Sequence, residues 1–490
     1  MANGCAEAIA RGQPGVALPR IRKYFIGDAD MEKGKSWKGS WCLLVLAVLV
    51  ALRPAGGYAG ELDEIDGLKQ ELDLYKQRTS DLENRINQLE ARQRLKERRQ
   101  EEQANAEQAN EAPAAVESQP KEGVIPQALE WAKNAQWSGD FRYRYEFIDK
   151  QGRPERNRNR IRARIGLDAT VNDEWDLAFR LASGERGLLV DLVEEDDVIT
   201  DVSVDEIGDP VSSNQTLTRY FSSKDVWLDL AYFNYHPMAV EGLKVFGGKV
   251  KNPFLAVGKN QLIWDSDLNP EGIAGQYGFS LGADTKAQLN AGGFWVNESS
   301  GGVDTGLFGV QGYITRNLGS PGKLTAGASY FNYTNLQGRQ DVYGILAGNT
   351  AGPGNTWASD FSLVELFAEY STKLFDRPVS VFGDWVNNAD AITDQDTGWL
   401  VGFTLNKASA PGSWQLGYDY RDLQADAVVG AFTDSDFIGG GTGGQGHRFT
   451  FAYQVAKNVQ AAGTYFLDTI DRPGDDLDYS RVQADLVLKF

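Results

Sequence analysis

Residues 480–490 alternate. Val482, Ala484, Leu486, Leu488 and Phe490 fall on one face of an extended strand, and Arg481, Gln483, Asp485 and Lys489 fall on the other, with Val487 the exception. Successive side chains of a strand point to opposite faces, so this pattern makes one apolar and one polar face. A soluble sheet rarely leaves such an apolar strand uncovered at its edge. A transmembrane barrel puts it to use, because there the last strand pairs with the first and no edge remains. An antiparallel strand of a soluble sandwich has the same local alternation. How often the pattern recurs upstream separates the two.

It recurs from residue 131 to the end. About ten alternating residues are followed by a turn, then ten more. The first predicted strand, 136–147, sets Trp137, Phe141, Tyr143 and Tyr145 against Asp140, Arg142, Arg144 and Glu146. The second, 159–169, sets Ile161, Ala163, Ile165 and Leu167 against Arg160, Arg162 and Arg164. The third is 174–183, and further strands are predicted over 225–236, 242–250, 271–282, 285–297, 306–317, 322–334, 361–375, 378–388, 397–406, 412–423, 446–456, 459–469 and 479–490, sixteen in all. Connections after even-numbered strands are short, as at 171–173, 282–284 and 457–458. Those after odd-numbered strands include the long segments 184–224, 251–270, 335–360 and 424–445. Short turns on one side and long loops on the other is the sidedness of outer-membrane barrels, and Trp and Tyr near strand ends (Trp175, Trp295, Trp385, Trp399, Trp414) suit its aromatic girdles. The predicted fold class is all-β transmembrane, a 16-stranded antiparallel β-barrel, preceded by an α-helical coiled coil. An even strand number puts both barrel ends on the short-turn, periplasmic side.

The mean hydropathy of −0.40 excludes a helical membrane protein, which needs several apolar runs of about twenty residues. It does not exclude a barrel, half of whose strand residues face a polar lumen. Residues 1–59 read as an upstream segment and a signal peptide. Met31 is the expected start, Lys33, Lys35 and Lys38 the basic region, 41–52 the apolar run, and cleavage is expected after Ala59. Over 61–103 the pattern becomes heptad. Ile65, Leu72, Thr79 and Ile86 take one core position, and Leu68, Tyr75, Leu82 and Leu89 the other. Such a stripe needs a partner helix, so an oligomer is expected; a single solvated helix is the alternative. Residues 104–130, rich in Ala, Gln, Glu and Pro, form a linker to the barrel domain 131–490.

The net charge of −19 argues against a nucleic-acid partner, whose phosphates need a basic surface. Both cysteines, Cys5 and Cys42, lie in the segment expected to be removed. Only two histidines exist, His236 and His447, and the topology sends them to opposite ends of the barrel. No nucleophile–base pair or metal-ligand cluster emerges, so no enzyme and no cofactor is expected. A barrel of about sixteen strands leaves an aqueous channel, so the expected activity is passage of small hydrophilic solutes. The alternative is a structural anchor or adhesion protein with a plugged barrel.

The segment Gly248-Lys249-Val250-Lys251-Asn252-Pro253-Phe254, followed by residues 262–272 with Trp264, Asp265, Asp267, Asn269, Pro270 and Glu271, resembles the signature of the bacterial "putative porin" family. The likeness covers roughly 131–490, and the terminal Phe490 is similar to the closing residue of outer-membrane barrels. The resemblance implies a homotrimer whose helices meet in the periplasm below barrels set in outer-membrane lipid and lipopolysaccharide. It also implies that the third long loop, 251–270, folds into the lumen and narrows it. Asp265, Asp267 and Glu271 then line the constriction; the other readings are a plain surface turn, or carboxylates that only hydrogen-bond the loop to the wall.

Arg142, Arg144, Arg160, Arg162 and Arg164 lie opposite the apolar face. A charge facing lipid at mid-depth would cost about 2–4 kcal/mol, so they point inward. Arg158, Arg180 and Lys249 extend the set. Arginines on the wall facing carboxylates on the loop would favour small anionic or zwitterionic solutes. The competing expectation pairs the arginines with wall carboxylates Asp140, Glu146, Asp168 and Asp176. Loop 184–224, with Glu194, Glu195, Asp196, Asp197, Asp201, Asp205 and Glu206, reads as a solvated acidic loop, and 439–446 as a mobile tip.

Overall fold

The computed structural model describes residues 134–195, 198–218, 220–298, 302–320, 322–339, 346–471 and 476–490. The predicted signal peptide, coiled coil and linker lie outside the described residues.

The strands, in chain order, are β1 (Ala135–Lys150), β2 (Arg156–Asn172), β3 (Trp175–Ser183), β4 (Arg186–Glu195), β5 (Val198–Gly208), β6 (Gln215–Thr216), β7 (Val226–Tyr235), β8 (Leu243–Lys249), β9 (Glu271–Ser280) and β10 (Thr285–Asn297). They continue as β11 (Thr305–Asn317), β12 (Lys323–Thr334), β13 (Ser362–Leu374), β14 (Arg377–Asn388), β15 (Thr397–Asn406), β16 (Trp414–Leu423), β17 (Gly444–Ala456), β18 (Val459–Ile470) and β19 (Leu477–Lys489). Leaving aside the two-residue β6, each wall strand pairs antiparallel with the next, β3 continuing to β7, and β19 returns to β1 to close a 16-stranded barrel. Each predicted strand overlaps one wall strand.

Closure follows from the terminal alternation. β19 runs beside β1 in an unbroken register from Asp140↔Lys489 to Lys150↔Tyr479. Two further bonds of 3.1 Å join Phe490 and Gly139 backbone to backbone. Val482, Leu486 and Leu488 are exposed on the outer face, with Phe141, Tyr143 and Tyr145 of β1 beside them. Arg481 and Gln483 are buried on the inner face.

Two features depart from the sequence reading. The long connection after β3 is not plain loop: β4 and β5 form a separate antiparallel hairpin, with Val190↔Val204 and Leu192↔Val202 in register. Acidic residues interspersed among β-branched ones hid that alternation. The inner face is also not uniformly polar. Phe294, Leu307, Phe331, Tyr333, Leu363, Phe367, Phe382, Val386 and Leu400 point inward from β10 to β15 and are buried. The segments 250–270 and 424–443 cover them, so the hydrophobic core sits inside the barrel. Val257, Leu262 and Ile263 of the first segment and Ala427, Val428 and Val429 of the second are all buried in it.

Segment 250–270 has a defined path. Val250 N donates to Pro270 O at 2.8 Å and closes its base. Phe254 packs edge-on to Phe331 at 4.8 Å, and Trp264 to the same ring at 5.2 Å. Gly258 takes φ +59, and a Cβ there would lie 2.4 Å from the Phe382 ring, so this close approach to the wall requires glycine. Its N–H donates to Glu369 Oε2 at 2.9 Å, and Asn260 Nδ2 donates to Asp384 Oδ2 at 2.7 Å.

Candidate functional site

The register of β1 and β2 sets like charges directly opposite each other: Arg142 faces Arg162, and Arg144 faces Arg160. Opposed like charges destabilise a sheet unless counter-charges stand between them. Here they do. Asp140 sits opposite Arg164, and its two oxygens accept from Arg162 Nε at 2.9 Å and Arg164 Nε at 2.7 Å. Glu146, opposite Arg158, is fully buried and pairs with both Arg158 and Arg481, the latter at 2.7 Å. Arg144 grips Asp485 of β19 with two bonds of 2.7 Å. Bidentate pairing of this kind fixes the guanidinium plane as well as neutralising it.

Most of the predicted arginines therefore belong to a wall lattice. Asp140 and Glu146 are members of it. Asp176 is not: it accepts from Asn234 at 3.1 Å and faces His236 Nε2 at 3.0 Å. Asp168 has no arginine partner among the described residues. Arg180 pairs instead with Asp229, which a bulge in β7 leaves without a register partner. Lys249 and Glu271 are register partners at the base of segment 250–270 and bond each other at 2.7 Å.

The loop carboxylates occupy different places. Asp267 meets the lattice: Arg164 lies 3.3 Å from its Oδ1, Arg162 lies 3.9 Å away, and Ser213 Oγ donates to Oδ2 at 2.8 Å. Asp265 turns toward segment 424–443. It accepts from Ser435 N at 3.0 Å and Asp267 N at 2.8 Å, and its own N–H donates to Phe432 O at 2.8 Å.

That second segment was missed as a contributor. It is no mobile tip: Thr442 is buried and bonds Ala425 O at 2.7 Å, while Gly444 and Gly446 are buried in β17. It supplies Asp434, 3.0 Å from Arg421, and Asp436, 2.7 Å from Arg481 and 3.3 Å from Arg144. A signal for it existed. Asp434-Ser435-Asp436 repeats the Asp265-Ser266-Asp267 of the first segment, and the two triplets meet.

Wall and segments border a half-open polar chamber of about 170 Å³, lined by Arg142, Arg144, Arg162 and Arg448 of the wall and by Asp265, Asp267 and Asp436 of the segments. Burial disfavours ionisation of all three carboxylates, with different outcomes. For Asp436 the guanidiniums of Arg481 and Arg144 outweigh burial and hold the carboxyl well below its usual range. Arg162 and Arg164 likewise hold Asp267 below it. Asp265 has no such partner, and burial, reinforced by Asp434 and Asp267, pushes it well above. Asp265 therefore binds a proton more tightly in the folded chain than in the unfolded one. Its contribution to stability is present below the ordinary value of 3.8 and is lost as pH rises through the raised one. Asp265→Asn is expected to gain in thermal midpoint relative to the unaltered protein as pH rises from about 4 to about 9, read on detergent-folded barrel. A constant difference across that range would contradict the assignment.

Among the described residues no cluster of His, Cys, Asp and Glu is arranged to hold a metal ion. His236 lies at the turn after β7 and His447 on β17, stacked on Tyr418 and Phe449. No curated protein sequence matches the chain. Solved structures similar to it include OprB of Pseudomonas putida at 13% identity, covering 73% of this chain and 95% of that one, with a TM-score of 0.46. OmpF of Salmonella typhi, in complex with daunomycin, is 12% identical and covers 73% and 97%, with a TM-score of 0.42. The outer membrane channel DcaP of Acinetobacter baumannii is 12% identical with the same coverage, with a TM-score of 0.40. Residues 187–363 and 357–490 match the family described as "putative porin", and with more than half its length so matched the chain belongs to that family.

Proposed function

We propose that the protein is a bacterial outer-membrane porin through which small hydrophilic solutes diffuse passively, with anionic or zwitterionic solutes favoured. The observation that carries this reading is the polar chamber inside a closed barrel, where wall arginines face the carboxylates of two infolded segments. Segment 250–270 narrows the lumen by lying against Gln276, Gln311, Glu369 and Asp384 of the wall. A charged constriction orients a permeating solute by its own dipole and charge and replaces part of its hydration shell. Outside the barrel, lipid and lipopolysaccharide are its partners. The heptad segment 61–103, outside the described residues, is proposed to assemble three copies.

Liposome swelling tests the reading. Vesicles carrying the protein are expected to swell in isosmotic small sugars and faster in monovalent organic anions of similar size. Equal rates for both would remove the anion preference, and no swelling would remove the porin reading.

A further inference from the structure

We propose that Arg142 is the oxyanion subsite of the chamber, the position at which a carboxylate or phosphate group of a solute is held during passage. This rests on the porin reading.

Arg142 differs from every other buried or half-buried arginine of the β1–β2 ladder. Arg144, Arg158, Arg160, Arg162 and Arg164 each have a carboxylate within ion-pair distance. Arg142 has none among the described residues. Its one side-chain partner is the neutral Asn214, whose Oδ1 accepts from a terminal nitrogen. Its Nε is buried with no hydrogen-bond partner at all. Two wall positions explain the isolation. Its register partners are Arg162 on β2 and Val487 on β19, the residue that breaks the terminal alternation by placing an apolar side chain on the inner face. The carboxylates whose charge reaches it, Asp485, Asp267 and Asp436, are each occupied by other arginines.

The guanidinium lines the polar chamber of about 170 Å³, together with Asn214, Gln261, Thr450 and Thr464. At about 30 Å³ per water, that space holds roughly six waters, enough for one carboxylate or phosphate group and some of its hydration. Arginine suits this role because its fork of donors matches an oxyanion bidentately. The lattice arginines are structural, and the unpaired one is left for the solute.

The test is the reversal potential of the purified full-length protein in a planar bilayer under a KCl gradient, with inorganic phosphate or acetate then added to both sides. Arg142→Gln is expected to lower the chloride-to-potassium permeability ratio at least fivefold, about fivefold being the factor on one ion for removing a unit charge about 4 Å away in a water-like medium. Phosphate or acetate is expected to reduce chloride current through the unaltered protein and not through Arg142→Gln. Arg158→Gln, at a lattice position, is expected to change both readouts far less. Arg142→Lys, which keeps the charge but not the fork, is expected to keep the permeability ratio and weaken the block, and it carries the test if the glutamine variant does not fold. Conducting barrels in which Arg142→Gln leaves ratio and block unchanged would overturn the subsite alone. A folded, unaltered barrel that never conducts would overturn the porin reading and the subsite with it.

Discussion

Replacing Arg481 with Ala is expected to destabilise the folded barrel by about 3 kcal/mol, the lower end for removing one partner of a buried ion pair. Arg481 is buried and lies 2.7 Å from both Glu146 and Asp436. It joins the closing strand to β1 through Glu146 and to the infolded segment 424–443 through Asp436. Its loss leaves the buried Glu146 and the half-buried Asp436 short of a cation. Arg158 still reaches Glu146 and Arg144 still reaches Asp436, which keeps the effect at the lower end. Urea unfolding of the detergent-folded barrel, followed by its mobility shift, measures it. Arg481→Lys keeps a charge but cannot serve two carboxylates in fixed geometry, so an intermediate loss is expected. A loss below about 1 kcal/mol for Arg481→Ala would place the pair in solvent-screened surroundings instead.

Replacing residues 256–266 by a short Gly-Ser link is expected to raise single-channel conductance and to lower stability by several kcal/mol. Conductance rises because the part of segment 250–270 lying along the wall from Glu369 to Asp384 is gone. Stability falls because Val257, Leu262 and Ile263 are buried against the inner wall, and each such side chain contributes about 1.5–3 kcal/mol. The exposed Phe331 and Phe382 then face water in the lumen. Unchanged conductance would show that solutes take a route this segment does not border.

The wall was legible because alternation is local: each strand states its own two faces, and turn residues mark where it ends. The closing pair was legible too, since Val482, Leu486 and Leu488 need lipid as surely as Phe141 and Tyr143 do. Three things were not. The β4–β5 hairpin was hidden by acidic residues at irregular positions, which a solvated loop would also carry. The apolar inner wall was hidden because Phe294 stands next to Trp295 and Phe331 next to Tyr330, so both faces are apolar and alternation loses its sign. The partners of the arginines were hidden by distance along the chain. Arg144 and Asp485 are 341 residues apart, and only closure brings them together. Asp267 was found because it follows a family-like segment. Asp436 carries the same Asp-Ser-Asp spacing but sits beside a glycine run that suggested mobility.

The most direct test of the channel is single-channel recording from the purified, heat-modifiable barrel in a planar lipid bilayer. Stepwise ohmic openings are expected, with a reversal potential under a salt gradient that favours anions. A barrel folded by the same criterion that inserts and yet passes no current would contradict the account, and would make this fold a membrane anchor whose interior its own loops have filled.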